Sequence, residues 1–167
     1  MLESQKVNHH KNIALQLANL KVYFPLERTL KDFILNKAGN LVKAIDDVSL
    51  DIYESEVLVL VGETGCGKST IARTILRMNP ITSGKIAFYG EEVHNLKRSG
   101  LQEYYSKVQM VWQDPFSCLN PRMKVCDIIS RPLIRFKRLS KREAYAQLKE
   151  IISVVGLNED EMDRYPH

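Results

Sequence analysis

The sequence contains little cysteine, and this scarcity excludes two kinds of stabilising framework. Cys66, Cys118 and Cys126 have neither the paired spacing of a zinc site nor the even number of a disulfide scaffold. An odd number of thiols without partners is typical of a reducing compartment. The four histidines likewise form no ligand-like group, so we interpret them as surface residues.

Long apolar runs are also missing. No apolar segment follows the first residues in the way a signal peptide requires, and no stretch is long enough to span a bilayer. The sequence therefore predicts a soluble chain whose role at any membrane depends on a partner. Internal repeats and low-complexity segments are absent, and 167 residues with 44% hydrophobic side chains suit a single globular domain.

Acidic residues are scarce in one part of the chain, although the net charge is only +4. Between residues 122 and 142 only Asp127 opposes the basic side chains, which are Arg122, Lys124, Arg131, Arg135, Lys137, Arg138, Lys141 and Arg142. Such a surface could bind nucleic acid or an anionic membrane. We favour a solvated helix surface and expect no nucleic-acid partner, because the stretch lacks an interleaved series of aromatic stacking residues.

Alternating hydrophobicity predicts two strands in the first third of the chain. The first covers residues 13–24 and is closed by Pro25, which cannot donate a ladder hydrogen bond. The second covers residues 44–53. Between them, residues 26–40 have the apolar spacing of a helix.

Residues 57–61 are apolar at every position, which predicts a strand buried on both faces at the centre of a parallel sheet. Helical spacing of apolar residues follows at 71–78 and ends before Pro80. The pattern then predicts, in chain order, a turn at 83–84, a strand at 85–89, a helix up to Tyr105 and an apolar strand at 108–112.

Beyond Gln113 the pattern is helical. Ser140 and Glu143 have the spacing of a capping box, in which each side chain accepts a backbone N–H near the other residue. One apolar stripe follows at Ala144, Leu148, Ile151, Ile152 and Val155. Gly156 comes where the end of a helix favours glycine.

A glycine-rich loop lies between the apolar run at 57–61 and the next helix. Its residues are Gly62, Glu63, Thr64, Gly65, Cys66, Gly67, Lys68, Ser69 and Thr70. This spacing is that of the phosphate loop that binds ATP with Mg²⁺: the glycines let backbone N–H groups surround the β-phosphate, and Lys68 reaches the β- and γ-phosphates. Ser69 is predicted to ligate Mg²⁺ and Thr70 to contact the α-phosphate.

Cys66 has two interpretations. A thiol near a helix N-terminus can be redox-sensitive, but we favour a small residue that the loop tolerates.

The loop alone does not separate kinases, GTPases, helicases and transport ATPases. A second segment, residues 109–123, places Gln113 at the end of the apolar run 108–112 and continues as Asp-Pro-Phe-Ser-Cys-Leu-Asn-Pro-Arg-Met. This segment resembles the glutamine loop of ATP-binding cassette proteins. More narrowly, it resembles the ATPase subunits of oligopeptide, dipeptide and nickel importers.

The resemblance implies an α/β fold of the phosphate-loop NTPase class. Residues 1–113 would form the nucleotide-binding core with an antiparallel β portion, and residues 114–167 a partial helical subdomain that ends before the family's signature loop. It also implies that Phe24, or as second choice Tyr23, stacks on adenine. Gln113 would ligate Mg²⁺ or its water and sense the γ-phosphate.

The same resemblance implies partners and location. The expected partners are integral-membrane permease subunits, a second nucleotide-binding subunit and, indirectly, a substrate-binding protein, at the cytoplasmic face of the membrane. The sequence does not distinguish dipeptide, oligopeptide and nickel cargoes.

The sequence departs from the family's pattern after Gln113. No apolar strand ending in Asp-Glu follows, and no signature loop or switch histidine is found up to His167. We therefore expect a truncated nucleotide-binding domain that binds nucleotide and hydrolyses it negligibly by itself. Two alternatives stay open: an inactive nucleotide-binding or interaction remnant, and a small phosphate-loop kinase, which the Gln113 segment disfavours.

Overall fold

A computed structural model of the chain describes residues 12–26 and 41–167. The helix predicted at 26–40 lies outside the described residues, except for Leu26. The chain divides into two compact units, one up to Val108 and one from Gln109 to His167.

The first unit is built on an antiparallel sheet. Within residues 12–26 and 41–108 the sheet has four strands, which are β1 (Ile13–Pro25), β2 (Leu41–Tyr53), β3 (Ser83–Phe88) and β4 (Glu91–Glu92). Their order in the sheet is β2-β1-β3-β4. The two strands predicted from alternating hydrophobicity are confirmed, and the second begins at Leu41 rather than at residue 44. Because β1 pairs with both β2 and β3, strands that precede and follow the predicted phosphate loop lie in one sheet.

The core of the first unit lies against one face of this sheet. Leu20 and Val22 of β1 are fully buried and pack with Ile45 of β2 and Ile86 of β3. These positions alternate with more exposed residues along each strand, as a sheet with one buried face requires. The apolar alternation of the sequence thus becomes one continuous core.

Gly84 shows why the predicted turn at 83–84 is wrong. The residue belongs to β3, where its φ of +89° is one that side chains rarely adopt. A Cβ at this position would lie 2.3 Å from the carbonyl oxygen of Asn19 in β1. Glycine here is required by close approach of two strands rather than by a chain reversal.

Two α-helices lie in the part of the first unit that the structure describes. Helix α1 (Lys68–Ile75) is shorter than the spacing predicts and stops before Met78, which is exposed. Helix α2 (Arg98–Lys107) confirms the predicted helix up to Tyr105, and a short 3₁₀ helix (Val93–Asn95) precedes it. The hydroxyl of the buried Tyr104 in α2 donates a hydrogen bond of 2.7 Å to the carbonyl oxygen of Ile75 at the end of α1.

The apolar run at 57–61 is not a strand in this structure, so that prediction is wrong here. Val57, Val59 and Val61 are 88%, 70% and 90% exposed. None of the loop and turn hydrogen bonds among the described backbone groups involves residues 57–61, and no described strand pairs with them. A strand forms only where a neighbouring strand takes up its N–H and C=O groups.

The strand predicted at 108–112 is also wrong here. The segment has no regular secondary structure, and Val111 is 93% exposed.

The second unit is helical, as the pattern after Gln113 predicts. It contains α3 (Val125–Lys137) and α4 (Lys141–Val154), with short 3₁₀ helices at Phe116–Cys118 and Glu159–Asp163. Its core consists of Leu148, Ile152 and Met162, against which Cys126 and Ile129 pack. Among the described residues, no helix is both long and apolar enough to cross a membrane.

Both ends of α4 follow the sequence signals. The hydroxyl of Ser140 accepts the N–H of Glu143, whose carboxylate accepts the N–H of Ser140, so the predicted capping box is confirmed. At the other end Gly156 has a φ of +75° and donates to the carbonyl of Ser153. The N–H of Leu157 donates to Ile152, which completes a Schellman motif.

The apolar stripe of α4 is only partly buried. Ala144, Leu148 and Ile152 are buried, whereas Ile151 and Val155 are exposed. The buried part of the predicted stripe is therefore a single row of residues spaced four apart.

Candidate nucleotide-binding site

The glycine-rich loop lies on the surface of the first unit. Residues 62–66 are exposed and irregular, and α1 begins at Lys68. Gly67 is the residue that caps the helix, with a φ of 99°. The loop therefore leads into a helix N-terminus whose first N–H groups have no partner within the helix, an arrangement suited to anions.

Gly67 also connects the loop to the sheet. A Cβ at this position would lie 2.4 Å from the carbonyl oxygen of Ala44 in β2. Because both the positive φ and this close contact exclude a side chain, the residue must be glycine. The end of the loop nearest α1 therefore lies against the first part of β2.

Lys68 folds back over the loop. Its ammonium group donates hydrogen bonds of 2.7 Å to the carbonyl of Gly62 and 2.6 Å to the carbonyl of Glu63. It also lies 3.3 Å from the sulfur of Cys66. The side chain that the sequence assigns to the β- and γ-phosphates is thus hydrogen-bonded to the backbone of the loop itself.

The same ammonium group affects Cys66. Its hydrogen bond and positive charge lower the pKa of this exposed thiol below the ordinary value. The thiol belongs to the loop itself, so its side chain lies where a bound phosphate would approach.

Ser69 and Thr70 form the first turn of α1. Ser69 is exposed, and its hydroxyl oxygen is a hard donor of the kind that Mg²⁺ prefers. The carbonyl of Thr70 accepts the hydroxyl of the buried Thr74, which fixes the beginning of the helix against the unit's interior. The donor set of this turn therefore fits a magnesium ion that also binds phosphate oxygens.

Tyr23 and Phe24 differ in their surroundings. Phe24 packs against the hydrophobic core, on the side of Val22. Tyr23 pairs with Lys43 of β2, and its N–H donates to the hydroxyl of Thr82. Of the two aromatic residues proposed for adenine, Tyr23 is thus the one whose ring has polar neighbours rather than a place in the core.

Tyr23, Lys43 and Asp46 form a closed cluster, which we call the tyrosine cluster. The Tyr23 hydroxyl donates to Asp46, and the Lys43 ammonium lies 3.1 Å from Asp46 and 5.4 Å from the centre of the Tyr23 ring. These hydrogen bonds, first from Tyr23 and then from Lys43, lower the pKa of the Asp46 carboxyl.

Lys43 and Asp46 are not predictable as site residues from the sequence. They are an opposite-charge pair three residues apart, and such pairs are common on any protein surface. That both meet Tyr23 depends on the register of β1 against β2.

Gln113 belongs to the second unit, where it is exposed and follows the irregular segment 108–112. Just after it, the Asp114 carboxylate accepts the N–H of Phe116 at 3.1 Å, and the Asn120 side chain accepts the N–H of Arg122 at 3.0 Å. These contacts give the segment a compact local fold. The role of Gln113 toward magnesium and the γ-phosphate stays a prediction.

A cavity of about 530 Å³ opens on the second unit. The basic residues that line it are Arg122, Arg131 and Lys141, and the acidic residue that lines it is Asp127. Apolar surface comes from residues such as Tyr145. The cavity thus combines positive charge with apolar walls.

The loop, its helix and the antiparallel sheet define a nucleotide-binding domain of the ATP-binding cassette type. The family model described as ABC transporter matches residues 45–166, and the chain therefore belongs to this family. The match includes the phosphate loop and Gln113.

Similar curated proteins are ATP-binding proteins of oligopeptide and dipeptide transport. The chain is 47% identical over 140 residues to the oligopeptide transport ATP-binding protein OppF of Bacillus subtilis, an alignment that covers 83% of this chain and 46% of the relative. It is 51% identical over 128 residues to the dipeptide transport ATP-binding protein DppF of Lactococcus lactis subsp. cremoris, covering 75% of this chain and 41% of that protein. The chain thus spans about half the length of the curated relatives it matches.

A solved structure shows the same fold. A dimeric ATP-binding cassette in a post-hydrolysis state, bound to ADP and Pi, superposes with a TM-score of 0.71 at 22% identity. The superposition covers 91% of this chain and 61% of that one. This agreement confirms the predicted fold class.

Proposed function

We propose that this chain is the ATP-binding component of an importer for oligopeptides or dipeptides, with nickel as the third cargo class implied by the resemblance. In this role ATP binding and hydrolysis power transport through membrane subunits. The observation that carries the proposal is the loop at residues 62–70, which leads into the N-terminus of α1 and to whose backbone Lys68 is hydrogen-bonded. The oligopeptide and dipeptide transport ATP-binding proteins among its relatives support the cargo class.

The residues of the loop would hold ATP with Mg²⁺. Backbone N–H groups from Gly62 to Thr70 would surround the phosphates, and Lys68 would contribute positive charge. Ser69 and Gln113 would supply oxygen ligands to magnesium, which when bound neutralises charge on the phosphates. Tyr23 would stack on adenine, and Phe24 would support the same strand from the core side.

We further propose that these 167 residues bind nucleotide but hydrolyse it negligibly by themselves. The absence of an apolar strand ending in Asp-Glu after Gln113 supports this, because such a strand would carry the magnesium aspartate and the catalytic glutamate. The exposed run at 57–61 also supports it, since that segment has the sequence of a buried central strand.

The proposed partners are permease subunits in the membrane, a second nucleotide-binding subunit and, through the permease, a substrate-binding protein. With these partners the chain would lie at the cytoplasmic face of the membrane. The cavity of the second unit supports a membrane partner, because its basic and apolar lining fits an acidic, partly apolar segment of another protein.

Binding of a fluorescent ATP analogue in the presence of Mg²⁺ tests the site. We expect Lys68→Ala to abolish binding while the far-UV circular dichroism spectrum stays unchanged, because the side chain contacts only the loop. Lys85→Ala, which removes the same charge from an exposed position on β3, is the control and should bind as the unchanged chain does. Equal binding by the Lys68 variant would contradict the assignment.

Phosphate release tests the catalytic proposal. The unchanged chain and its Lys68→Ala variant should release phosphate at the same background rate. Turnover at an ordinary enzymatic rate of about 1 s⁻¹ or more, lost in the Lys68 variant, would overturn it.

A further inference from the structure

The tyrosine cluster of Tyr23, Lys43 and Asp46 has no role in the core of the first unit. Lys43 and Asp46 keep 60% and 45% of their side-chain surface exposed, and the neighbouring core positions Val22 and Ile45 are buried without them. Exposed ion pairs of this kind contribute little to stability. Neither core packing nor surface ion pairing therefore explains why these three side chains contact one another.

The cluster does restrict one ring. Tyr23 is held at its backbone by the ladder with Lys43 and by the hydroxyl of Thr82, which accepts its N–H at 2.9 Å. At its other end the phenol hydroxyl donates to Asp46. The Lys43 ammonium, 5.4 Å from the ring centre, lies on one face of the ring. A side chain fixed at both ends has lost most of its rotational freedom before any ligand arrives.

The cluster also adjoins the phosphate loop. Lys43 and Asp46 flank Ala44, whose carbonyl oxygen is the atom that a Cβ on Gly67 would meet at 2.4 Å. The last turn of the loop and the tyrosine cluster thus share one short stretch of β2. A triphosphate bound in the loop would place its base within reach of this part of the sheet.

We propose that Asp46 and Lys43 are positioning residues, which hold the Tyr23 ring as the surface on which the base of a bound nucleotide stacks. This inference rests on the proposed nucleotide-binding function and deepens it. Lys43 covers one face of the ring, so the base takes the opposite face. A ring held in place needs no ordering when the base stacks, and stacking on it therefore yields more binding free energy than on a mobile ring.

The test compares two ligands that share phosphates and differ in the base. ATP and inorganic tripolyphosphate, both with Mg²⁺, are titrated by calorimetry into the unchanged chain and its variants. Asp46→Ala should weaken ATP binding about tenfold, which is about 1.4 kcal/mol, and leave the tripolyphosphate affinity unchanged or slightly raised. Removal of a negative charge near a phosphate site cannot by itself weaken anion binding, so a loss confined to ATP reports on the base.

Further variants separate positioning from a general effect on the fold. Tyr23→Ala should weaken ATP binding at least as much as Asp46→Ala, and the double variant should lose no more than Tyr23→Ala alone. Asp46→Asn keeps an oxygen acceptor for the tyrosine hydroxyl and should restore most of the affinity. Asp51→Ala removes a carboxylate of the same strand, one bonded to Gln16 instead, and should change neither titration.

The outcomes are distinct. The proposal is overturned if Asp46→Ala leaves ATP binding unchanged, if it weakens both ligands equally, or if its effect adds to that of Tyr23→Ala. If the unchanged chain binds neither ligand, the proposed nucleotide-binding function fails, and the positioning role fails with it. Binding of both ligands with equal affinity would retain the phosphate site and reject the stacking surface.

Discussion

Val22 and Val59 are both valines in apolar segments of the first unit, but the first is buried and the second is exposed. Val22 lies in β1 between two partner strands and is fully buried, whereas Val59 lies in the run at 57–61 and is 70% exposed. The run is the more hydrophobic of the two segments. The difference shows that hydrophobicity does not by itself form a strand: the backbone groups need neighbours as well.

The sharpest way to break the paired region is to separate its strands. Gly84→Ala would place a Cβ against the carbonyl of Asn19 at a φ of +89°, and we expect the free energy of unfolding in urea to fall by about 3 kcal/mol. Gly90→Ala is the matched control. Gly90 also has a positive φ, but a Cβ there would meet nothing within 4 Å, so a loss of about 1 kcal/mol is expected. Equal losses would refute the role of strand contact.

Titration of Tyr104, which belongs to the core of the first unit, should lower the free energy of unfolding in a defined pH range. Burial raises the pKa of this side chain to about 12 from the ordinary value of 10.0. Because the folded state disfavours the phenolate, stability is complete below pH 10.0 and is lost as the pH rises toward about 12. The loss amounts to about 2.5 kcal/mol.

The measurement is urea unfolding at several pH values for the unchanged chain and Tyr104→Phe. The variant lacks the hydroxyl, so between pH 10.0 and about 12 its free energy of unfolding should fall by about 2.5 kcal/mol less than that of the unchanged chain. Parallel pH profiles for the two proteins would show that Tyr104 is not the group concerned.

Matched substitutions compare the two apolar segments directly. Val22→Ala should lower the free energy of unfolding by about 2 kcal/mol, because it removes buried methyl groups and leaves a cavity. Val59→Ala should change it by less than about 0.5 kcal/mol, since the side chain is already in water. A comparable loss at Val59 would mean that the run at 57–61 is packed in solution.

The smallest effect is expected in the helical second unit, where the capping box of α4 depends on residues close together in the sequence. Ser140→Ala removes the acceptor for the N–H of Glu143 and should destabilise this unit by about 1 kcal/mol. Ser153→Ala, at an exposed position near the other end of α4, is the control and should have almost no effect. Thermal unfolding followed by circular dichroism would measure both. A loss at Ser153 as large as at Ser140 would contradict the capping role.

The contrast also explains which features could be predicted from sequence. The capping box at Ser140 and the glycine at 156 were predictable because each depends on residues within one or two helical turns. The strands β1 and β2 were predictable from alternation, since one face of their sheet is buried. The run at 57–61 was not, because its conformation depends on strands that a local pattern does not contain.

One part of the candidate site could also be predicted from a local pattern, and another part could not. The loop at residues 62–70 could be located from its spacing alone, whereas the tyrosine cluster could not. Lys43 and Asp46 reach Tyr23 only through the register of β1 against β2, which is set by the whole ladder. Likewise, the packing of Phe24 on the core follows from the face on which Val22 lies.

The ammonium group of Lys68 has a consequence for how strongly any anion can bind. It already has two carbonyl acceptors within the loop, at 2.7 and 2.6 Å. An incoming phosphate therefore does not meet a vacant cation but competes with the carbonyls of Gly62 and Glu63 for the same protons. Affinity at this loop measures an exchange of acceptors: the lysine contributes only the difference between a phosphate oxygen and the carbonyl oxygens it gives up.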